Sequence, residues 1–279
     1  RPVAPDPSPS SLLMHDKYHI QPGAKVRLSD IKSDDDGGLD KDAARKAGKK
    51  LTKRFVDLQE LLYAQKKHSV LVVLQAMDTA GKDSTIRSVF SPLDQLACHA
   101  HSFKAPSEEE LSHDYLWRVH QHVPPKGFIH IFNRSHYEDV LIVRVKNLVP
   151  KERWQARYEH INAFEKMLAD EGTTIIKIYL HISRDYQKAR LQRRLDNKDK
   201  HWKFNPGDLK ERALWDDYMK AYESAIQRCS TKHAPWYVIP AEQRWYRDLI
   251  VTSILVDTME KLGMKYPEPT FDPKDIVIE

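Results

Sequence analysis

The sequence has little cysteine and no long apolar run, and each absence excludes a class of protein. Cys98 and Cys229 are the two cysteines in 279 residues, and they form no C-x-x-C pair, so neither a disulfide framework nor a zinc site is expected. No apolar run approaches the roughly 20 residues that span a bilayer, and no positively flanked apolar leader is present. We therefore expect a cytoplasmic protein with no membrane partner.

The chain also lacks an internal repeat and the G-x-S-x-G turn that exposes a serine nucleophile. Its hydrophobic fraction of 41% is enough for a proper core. Strand-like and helix-like segments alternate without a linker-like break after residue 40, which predicts a single doubly wound α/β domain over residues 14–279. Residues 1–13, RPVAPDPSPSSLL, are rich in proline and serine and are expected to be a disordered extension.

Periodicity and turn residues predict five strands that form one parallel sheet flanked by helices. The predicted strands lie within residues 70–74, 97–103, 128–132, 173–182 and 234–240. Among the predicted helices, one covers 107–123, where Ser107 and Glu110 form a capping box and Leu111 belongs to an apolar stripe. Another continues from Asn205-Pro206-Gly207 to about Arg228.

The most informative stretch is VLVVLQAMDTAGKDSTIR at residues 70–87, in which an aliphatic run precedes a compact turn and a polar helix. Gly81 allows backbone N–H groups to approach an anion, and Lys82 adds a positive charge at a helix N-terminus that already favours phosphate. The pattern G-x-x-x-x-G-K-[ST] is incomplete, because Ala76 replaces the first glycine and Asp83 follows the lysine. We predict a phosphate-binding loop formed by Ala80, Gly81, Lys82, Asp83, Ser84 and Thr85.

Asp78 lies inside this loop, where its carboxylate would repel phosphate unless a cation lies between them. Mg2+ with oxygen ligands is the usual mediator. The alternative is an ordinary strand-to-helix turn, with Asp78 as a helix N-cap and Lys82 in solvent.

A second polar segment, NRSHYED, follows the third predicted strand directly. Ligands of open α/β sheets bind beyond the carboxyl ends of the strands, so Asn133, Arg134, Ser135, Glu138 and Asp139 should lie on the same rim as Lys82 and Asp78. Arg134 can hold a phosphate at two points, and Asp139 or Glu138 can bind Mg2+ or orient an attacking group. The alternative is a polar helix start with a surface Arg–Glu pair.

Positive charge concentrates in residues 184–212, where ten Lys or Arg face five Asp or Glu, an excess of 10 − 5 = 5 that equals the net charge of the whole chain. Arg190, Arg193 and Arg194 share one helix face at i, i+3 and i+4, and Lys203 continues the charge. Such a face can be simply solvated. Beside a phosphate site, it predicts a mobile lid that neutralises transferring phosphoryl groups and favours a polyanionic partner.

Five blocks together resemble the polyphosphate kinase 2 family, and within it class III. They are QAMDTAGKDSTIR, SFKAPSEEELSHDYLWR, FNRSHYEDVLIVRV, RLDNKDKHWKFNPGDL and APWYVIPA, and the likeness extends from about residue 15 to 268. The resemblance implies a three-layer phosphate-loop kinase fold with a helical lid at about residues 184–228. It also implies reversible, Mg2+-dependent phosphoryl transfer, with Mn2+ as an alternative, between inorganic polyphosphate and nucleoside mono- and diphosphates, AMP to ADP to ATP.

By motif, the resemblance implies that Asp78 and Asp139 organise Mg2+ and the acceptor phosphate, and that Lys82 contacts phosphate. Arg134, beside Asn133, stands where other classes of the family place Asp, and Ser84 stands where relatives commonly have Gly. Arg193 and Arg194 would grip polyphosphate with Arg190 and Lys203 in support, while Glu138 would bear on the nucleotide base. Adenine nucleotides are the expected acceptors, with guanine nucleotides as a further candidate, and a dimer or tetramer is expected.

Two other interpretations use the same residues. An ATP-dependent nucleotide kinase of the thymidylate kinase kind also carries an Asp before Gly-Lys, but no Ser or Thr follows Lys82 directly. A nucleic-acid-binding protein could use the basic patch without catalysis, yet the sequence offers no recognisable set of aromatic stacking platforms. We therefore expect an enzyme with no nucleic-acid partner.

Overall fold

The computed structural model describes residues 15–276 and residue 278; the predicted extension at residues 1–13 lies outside them. Within the described residues, the strands are β1 (His19–Ile20), β2 (Ser69–Ala76), β3 (Cys98–Ser102), β4 (Ile129–Asn133), β5 (Thr173–His181) and β6 (Trp236–Pro240). The α-helices are α1 (Lys41–Gln65), α2 (Lys82–Phe90), α3 (Glu108–Ser112), α4 (Trp117–His120), α5 (Ile142–Val145), α6 (Lys151–Asp170), α7 (Arg184–Asp196), α8 (Gly207–Ala213), α9 (Trp215–Cys229) and α10 (Arg244–Glu260). Short 3-10 helices cover Asp16–Tyr18, Leu28–Asp30, His136–Val140, Lys198–Lys203 and Pro273–Asp275.

The six strands form one sheet in the order β1-β6-β5-β2-β4-β3. The five predicted strands pair in parallel, and β1 adds to the edge of β6 in the antiparallel direction. The predicted count of five was therefore wrong by one. A strand of two residues contains no alternation that could reveal it in the sequence.

Strand β2 lies at the centre of this sheet and is buried along its whole length. It pairs with β5 on one side and with β4 on the other, and the side chains at 70–74 are fully buried. An uninterrupted aliphatic strand is stable in this position because helices cover both faces of a parallel sheet. The α/β fold predicted from the sequence is confirmed.

The helix predicted over 107–123 is interrupted. Its capping box is present, since Ser107 Oγ accepts from the Glu110 backbone N–H at 3.2 Å and the Glu110 carboxylate accepts from the Ser107 N–H at 2.8 Å. The helix ends at Ser112, and the Asp114 carboxylate accepts from the backbone N–H groups of Leu116 and Trp117. Leu111, predicted as part of an apolar stripe, is 67% exposed.

The helix predicted to reach Arg228 is also divided, because the backbone leaves the helical region at Leu214 between α8 and α9. Helix α9 buries Tyr222, Ala225 and Ile226 in the core. Helix α8 instead places Gly207 and Asp208 beside a cavity at the carboxyl ends of β2 and β4. None of the helices in the described part of the chain combines the length and apolar character needed to cross a bilayer.

Candidate active site

The candidate site lies where β2 and β4 end side by side. Leu74 of β2 is in register with Asn133 of β4, so the loops that follow the two strands leave the sheet at the same edge. The amide of Asn133 donates to the Asp83 carboxylate at 2.8 Å, which connects the two loops. This is the shared rim that the sequence predicted.

The first loop turns sharply into α2 at Gly81. Gly81 has φ of +102°, and its carbonyl accepts from the Thr85 backbone N–H at 2.9 Å and from Ser84 Oγ at 2.8 Å. A Cβ atom at Gly81 would lie 2.5 Å from Nη1 of the buried Arg247, so both the backbone conformation and the available space require glycine.

Lys82 folds back over this loop, and its Nζ donates to the Ala76 carbonyl at 3.1 Å. Burial lowers the pKa of the Lys82 ammonium, and the nearby Arg134 lowers it further, while Asp78 and Glu138 oppose the shift. An anion that binds at the loop would favour the charged lysine in the same way as these two carboxylates.

The second loop begins with Arg134, which has φ of +63°. Its backbone N–H donates to the Leu74 carbonyl at 3.1 Å, and its guanidinium donates to the Asp78 carboxylate at 3.1 Å. Glu138 lies 4.0 Å from the same guanidinium. Burial raises the pKa of the Glu138 carboxyl, although Arg134 and Lys82 oppose the shift.

The larger cavity at this rim, which we call the basic cleft, has a volume of about 610 Å3. Nine Lys or Arg side chains line it, against three Asp side chains. The cations are Lys82, Arg87, Arg134, Arg190, Arg193, Arg194, Lys200, Lys203 and Arg244, and the acids are Asp78, Asp83 and Asp208. Such an excess of positive charge matches a ligand with many negative charges.

Helix α7 and the 3-10 helix after it supply much of this charge. Arg194 donates to the Lys203 carbonyl at 3.0 Å and lies 3.3 Å from the Asp208 carboxylate. Burial lowers the pKa of Arg190, and the positive charges of Arg244 and Arg193 lower it further. The three arginines predicted for the lid therefore line the basic cleft together.

A smaller cavity of about 250 Å3, the acidic pocket, adjoins the basic cleft. Asp78, Arg134 and Asp208 line both cavities. The remaining wall of the acidic pocket consists of Ala76, Met77, Glu138, Ile142, Asn205, Gly207, Glu211, Tyr218 and Tyr222. Two tyrosines and several carboxylates give this pocket a chemistry unlike that of the basic cleft.

Four predicted residues do not line these cavities. The side chains of Ala80, Thr85 and Ser135 are buried in the protein, and Thr85 Oγ1 donates to the Gly81 carbonyl at 3.1 Å. The Asp139 carboxylate accepts from Arg157 Nη1 at 2.9 Å. Burial raises the pKa of Asp139 to about 6, although Arg157 opposes the shift. The structure therefore brings Asp78, but not Asp139, to the cleft.

Several lining residues were missed by the sequence analysis, among them Arg87, Asp208, Arg244, Tyr218 and Tyr222. Arg244 follows β6 by four residues, so the rule that ligands bind beyond the carboxyl ends of strands could have found it. Asp208 follows Asn205-Pro206-Gly207, a sequence that by itself indicates only a turn. The two tyrosines lie on α9 and were predicted only as helical residues.

The carboxylates at the cleft fit a hard divalent cation of the Mg2+ type. Among the described residues, no group of three or more His, Cys, Asp or Glu side chains could hold a metal by itself. Mg2+ is commonly held by one or two carboxylates together with substrate phosphates. Asp78, which lines both cavities and has 31% of its side chain exposed, is one carboxylate here that could act as such a ligand.

Comparison with known proteins gives matches over most of the chain. The family model described as "Polyphosphate kinase 2 (PPK2)" matches residues 38–267. The AMP/ADP-polyphosphate phosphotransferase of Meiothermus ruber is 57% identical over 265 residues, which cover 94% of this chain and 99% of that protein. The ADP-polyphosphate phosphotransferase of Rhodopseudomonas palustris is 46% identical over 229 residues, covering 78% and 79%. The crystal structure of polyphosphate kinase 2 from Arthrobacter aurescens superposes with a TM-score of 0.89 at 40% identity and 93% coverage of both chains.

Proposed function

The chain belongs to the polyphosphate kinase 2 family, and from this premise we propose that it transfers phosphoryl groups from inorganic polyphosphate to nucleoside mono- and diphosphates. The names of its relatives in M. ruber and R. palustris support this activity. The observation that carries the proposal is a cleft with nine cationic side chains that opens into a smaller pocket with carboxylates and tyrosines. One cavity suits a long polyanion, and the other suits the nucleoside part of an acceptor.

Polyphosphate would occupy the basic cleft. A linear polyanion with closely spaced charges releases counterions when lysine and arginine side chains replace them, as nucleic-acid backbones do. The cations come from the phosphate loop, from Arg134, from α7 and from Arg244, so they line the cleft from several directions. The proposed lid at residues 184–228 would close over the bound polyphosphate with the part formed by α7 and α8, because α9 is packed in the core.

The nucleoside of the acceptor would occupy the acidic pocket. Tyr218 and Tyr222 offer aromatic surface, and Glu138 offers a carboxylate within hydrogen-bonding reach of a base or ribose. Arg134 stands where the two cavities meet, so it can bind the acceptor phosphate while the nucleoside lies in the pocket. Adenine nucleotides are the proposed acceptors, and guanine nucleotides are proposed as a second group.

Phosphoryl transfer requires positioning and charge stabilisation more than covalent chemistry. Lys82 and Arg134 would neutralise charge on the transferring group, while Arg193 and Arg194 hold the donor chain. Bound Mg2+, or Mn2+ in its place, would screen charge between the phosphates, with Asp78 as its protein ligand. Asp139, which pairs with Arg157, would act by holding the 3-10 helix His136–Val140 in place.

Within the family, we propose class III behaviour, in which AMP and ADP are both acceptors and the reaction is reversible. The 57% identity with a relative named AMP/ADP-polyphosphate phosphotransferase supports this choice. We further propose a cytoplasmic homo-oligomer, a dimer or tetramer.

The test is ATP formation by the purified protein with Mg2+ and either AMP or ADP, in the presence and absence of polyphosphate. We expect ATP from both acceptors only when polyphosphate is present. ATP from ADP alone would contradict class III behaviour but retain the family activity. No polyphosphate-dependent product from folded protein, together with ATP-dependent phosphorylation of a nucleoside monophosphate, would replace the proposal with an ordinary nucleotide kinase.

A further inference from the structure

A cluster of buried ionisable groups contacts the segment 133–138, which begins at the end of β4 and forms part of the rim. We propose that Glu165 and Lys177 are positioning residues for the rim segment 133–138, and that they act through His136 and Tyr137. The proposal rests on the proposed function in one respect, namely that Arg134 and Glu138 in this segment contact the acceptor.

The cluster is centred on the carboxylate of Glu165 on α6. Its Oε1 accepts from Tyr137 OH at 2.9 Å and from His136 Nε2 at 3.0 Å, and its Oε2 accepts from Lys177 Nζ at 2.5 Å. Lys177 also donates to Tyr137 OH at 2.8 Å and to the Cys229 carbonyl at 2.6 Å. The side chains of His136, Glu165 and Lys177 are 0% exposed.

The sequence around Lys177 shows how unusual this position is. Lys177 is the single charged residue in strand β5, TTIIKIYLH, and its neighbours Ile176 and Ile178 are fully buried. Replacing a buried ion pair by apolar side chains of similar size is often neutral or even stabilising. Stability alone therefore does not explain the pair, whereas its directional hydrogen bonds to the rim segment do.

The rim segment requires such an attachment because its backbone is strained at Arg134. A side chain other than glycine at φ of +63° persists when the surrounding structure fixes it. On one side, the Arg134 N–H is held by the Leu74 carbonyl. On the other side, the attachment is made by His136 and Tyr137, which come directly before Glu138. His136 and Tyr137, which bond to Glu165, thus lie between Arg134 and Glu138, the two residues proposed to contact the acceptor.

Connections within the segment transmit this position to the cleft. Ser135 is buried, and its Oγ accepts from the Tyr137 N–H at 3.2 Å. The amide of Gln75, at the end of β2, also lies in contact with Ser135 Oγ at 3.1 Å. A shift of Tyr137 would therefore move Ser135, Arg134 and Glu138 together. The phosphate loop is joined to this segment by the Asn133–Asp83 and Arg134–Asp78 contacts, but it is also held from within by the Gly81 carbonyl, which accepts from Ser84 Oγ and the Thr85 N–H. Helix α7 is capped by its own Ser183.

The test uses Tyr137→Phe, which removes the hydroxyl that bonds to both Glu165 and Lys177 but keeps the ring. We expect the KM for ADP to rise at least about fivefold and kcat to fall about tenfold, while the KM for polyphosphate rises less than the KM for ADP, because most of the cations that line the basic cleft lie outside this segment. This split separates a positioning role from a general loss of stability, because partial unfolding would lower the active fraction without changing either KM.

The matched control is Thr173→Val, at the start of β5, the strand that carries Lys177. It removes the buried hydrogen bond between Thr173 Oγ1 and Ser69 Oγ, 3.0 Å long, without touching the rim. We expect a comparable loss of thermal stability with wild-type kinetic constants. Identical kinetics for Tyr137→Phe and Thr173→Val, or an equal rise of both KM values in Tyr137→Phe, would overturn the proposal.

The double variant Glu165→Gln with Lys177→Met removes both charges and avoids leaving one of them unpaired. It should show the same selective rise in the KM for ADP; wild-type kinetics would overturn the proposal.

A crystal structure of Tyr137→Phe supplies a readout that does not depend on the reaction. Movement of the Arg134 backbone out of its left-handed conformation is expected, and an unchanged Arg134 would contradict the inference. Absence of polyphosphate-dependent activity in the wild type would instead refute the proposed function and leave this structural test in force.

Discussion

Replacing Gly81 by alanine should disturb the phosphate loop through two separate effects. The first is the backbone, because Gly81 has φ of +102°, a conformation that L side chains rarely adopt. The second is space, because the new Cβ would lie 2.5 Å from Arg247 Nη1 and 3.0 Å from Ser84 Oγ. Arg247 is 1% exposed and paired with Asp248, so it has little room to withdraw.

The two effects have different expected sizes. A left-handed backbone costs an L residue about 1–2 kcal/mol, and overpacking a closely packed site costs about 1–3 kcal/mol. Their sum predicts that Gly81→Ala lowers the free energy of unfolding by about 2–5 kcal/mol. Gly38 supplies the control, since its φ is +66° and nothing lies within 4 Å of its missing Cβ. Gly38→Ala should therefore show the backbone cost alone.

The measurement is chemical denaturation of both variants, combined with steady-state kinetics at a temperature where each remains folded. A loop displaced by about 1 Å can lose about a hundredfold in rate, so we expect that scale of loss for Gly81→Ala and wild-type activity for Gly38→Ala. Combining Gly81→Ala with Arg247→Ala should remove the closer of the two contacts, so that the cost of the alanine at 81 falls towards that of the alanine at 38.

Equal destabilisation by Gly81→Ala and Gly38→Ala would refute the reasoning that Arg247 confines the loop. An undiminished cost of Gly81→Ala in the Arg247→Ala background would refute it as well.

Three further predictions concern the cleft and the carboxylate beside it. Lys82→Ala should leave a folded protein with activity lower by at least about a hundredfold, and near-normal turnover would contradict its role. Arg193→Ala with Arg194→Ala should raise the KM for polyphosphate more than the KM for ADP; an effect confined to ADP would contradict the lid assignment. Asp139 has its pKa raised from 3.8 to about 6, so folding favours its protonated form, and this contribution is lost as the pH rises from 4 through 6. Asp139→Asn removes the dependence, and denaturation at pH 4 and pH 7 should show the wild type losing about 2 kcal/mol relative to the variant. A pH-independent difference would refute the raised pKa of Asp139.

The rim of the site could be predicted because it follows from local sequence. An aliphatic run that ends in Asp78 and Gly81, and a second strand that ends in Asn133 and Arg134, place these residues together in any parallel sheet. The two strands needed only to be neighbours, which the register of Leu74 with Asn133 confirms. The charge on α7 was equally visible as a local excess.

The acidic pocket could not be predicted in this way, because its walls come from distant parts of the chain. Tyr218 and Tyr222 reach the site through the packing of α9, and Asp208 does so from the first turn of α8, a helix that a break at Leu214 separates from α9. The sequence also could not decide between Glu138 and Asp139. Neighbouring residues of a 3-10 helix point about a third of a turn apart, so one acid faces the pocket and the other faces Arg157.

The antiparallel edge strand β1 has a consequence for the order in which the molecule is completed. Its partner on β6 is 218 residues later in the chain, since His19 pairs with Tyr237. At about 5–20 residues per second, a ribosome needs roughly 10–40 s to synthesise that distance. Strand β1 therefore leaves the ribosome long before its partner β6, while β2, β4 and β5 can already assemble. Until β6 emerges, β5 has no partner on that side, and β1 can pair only after β6 is present.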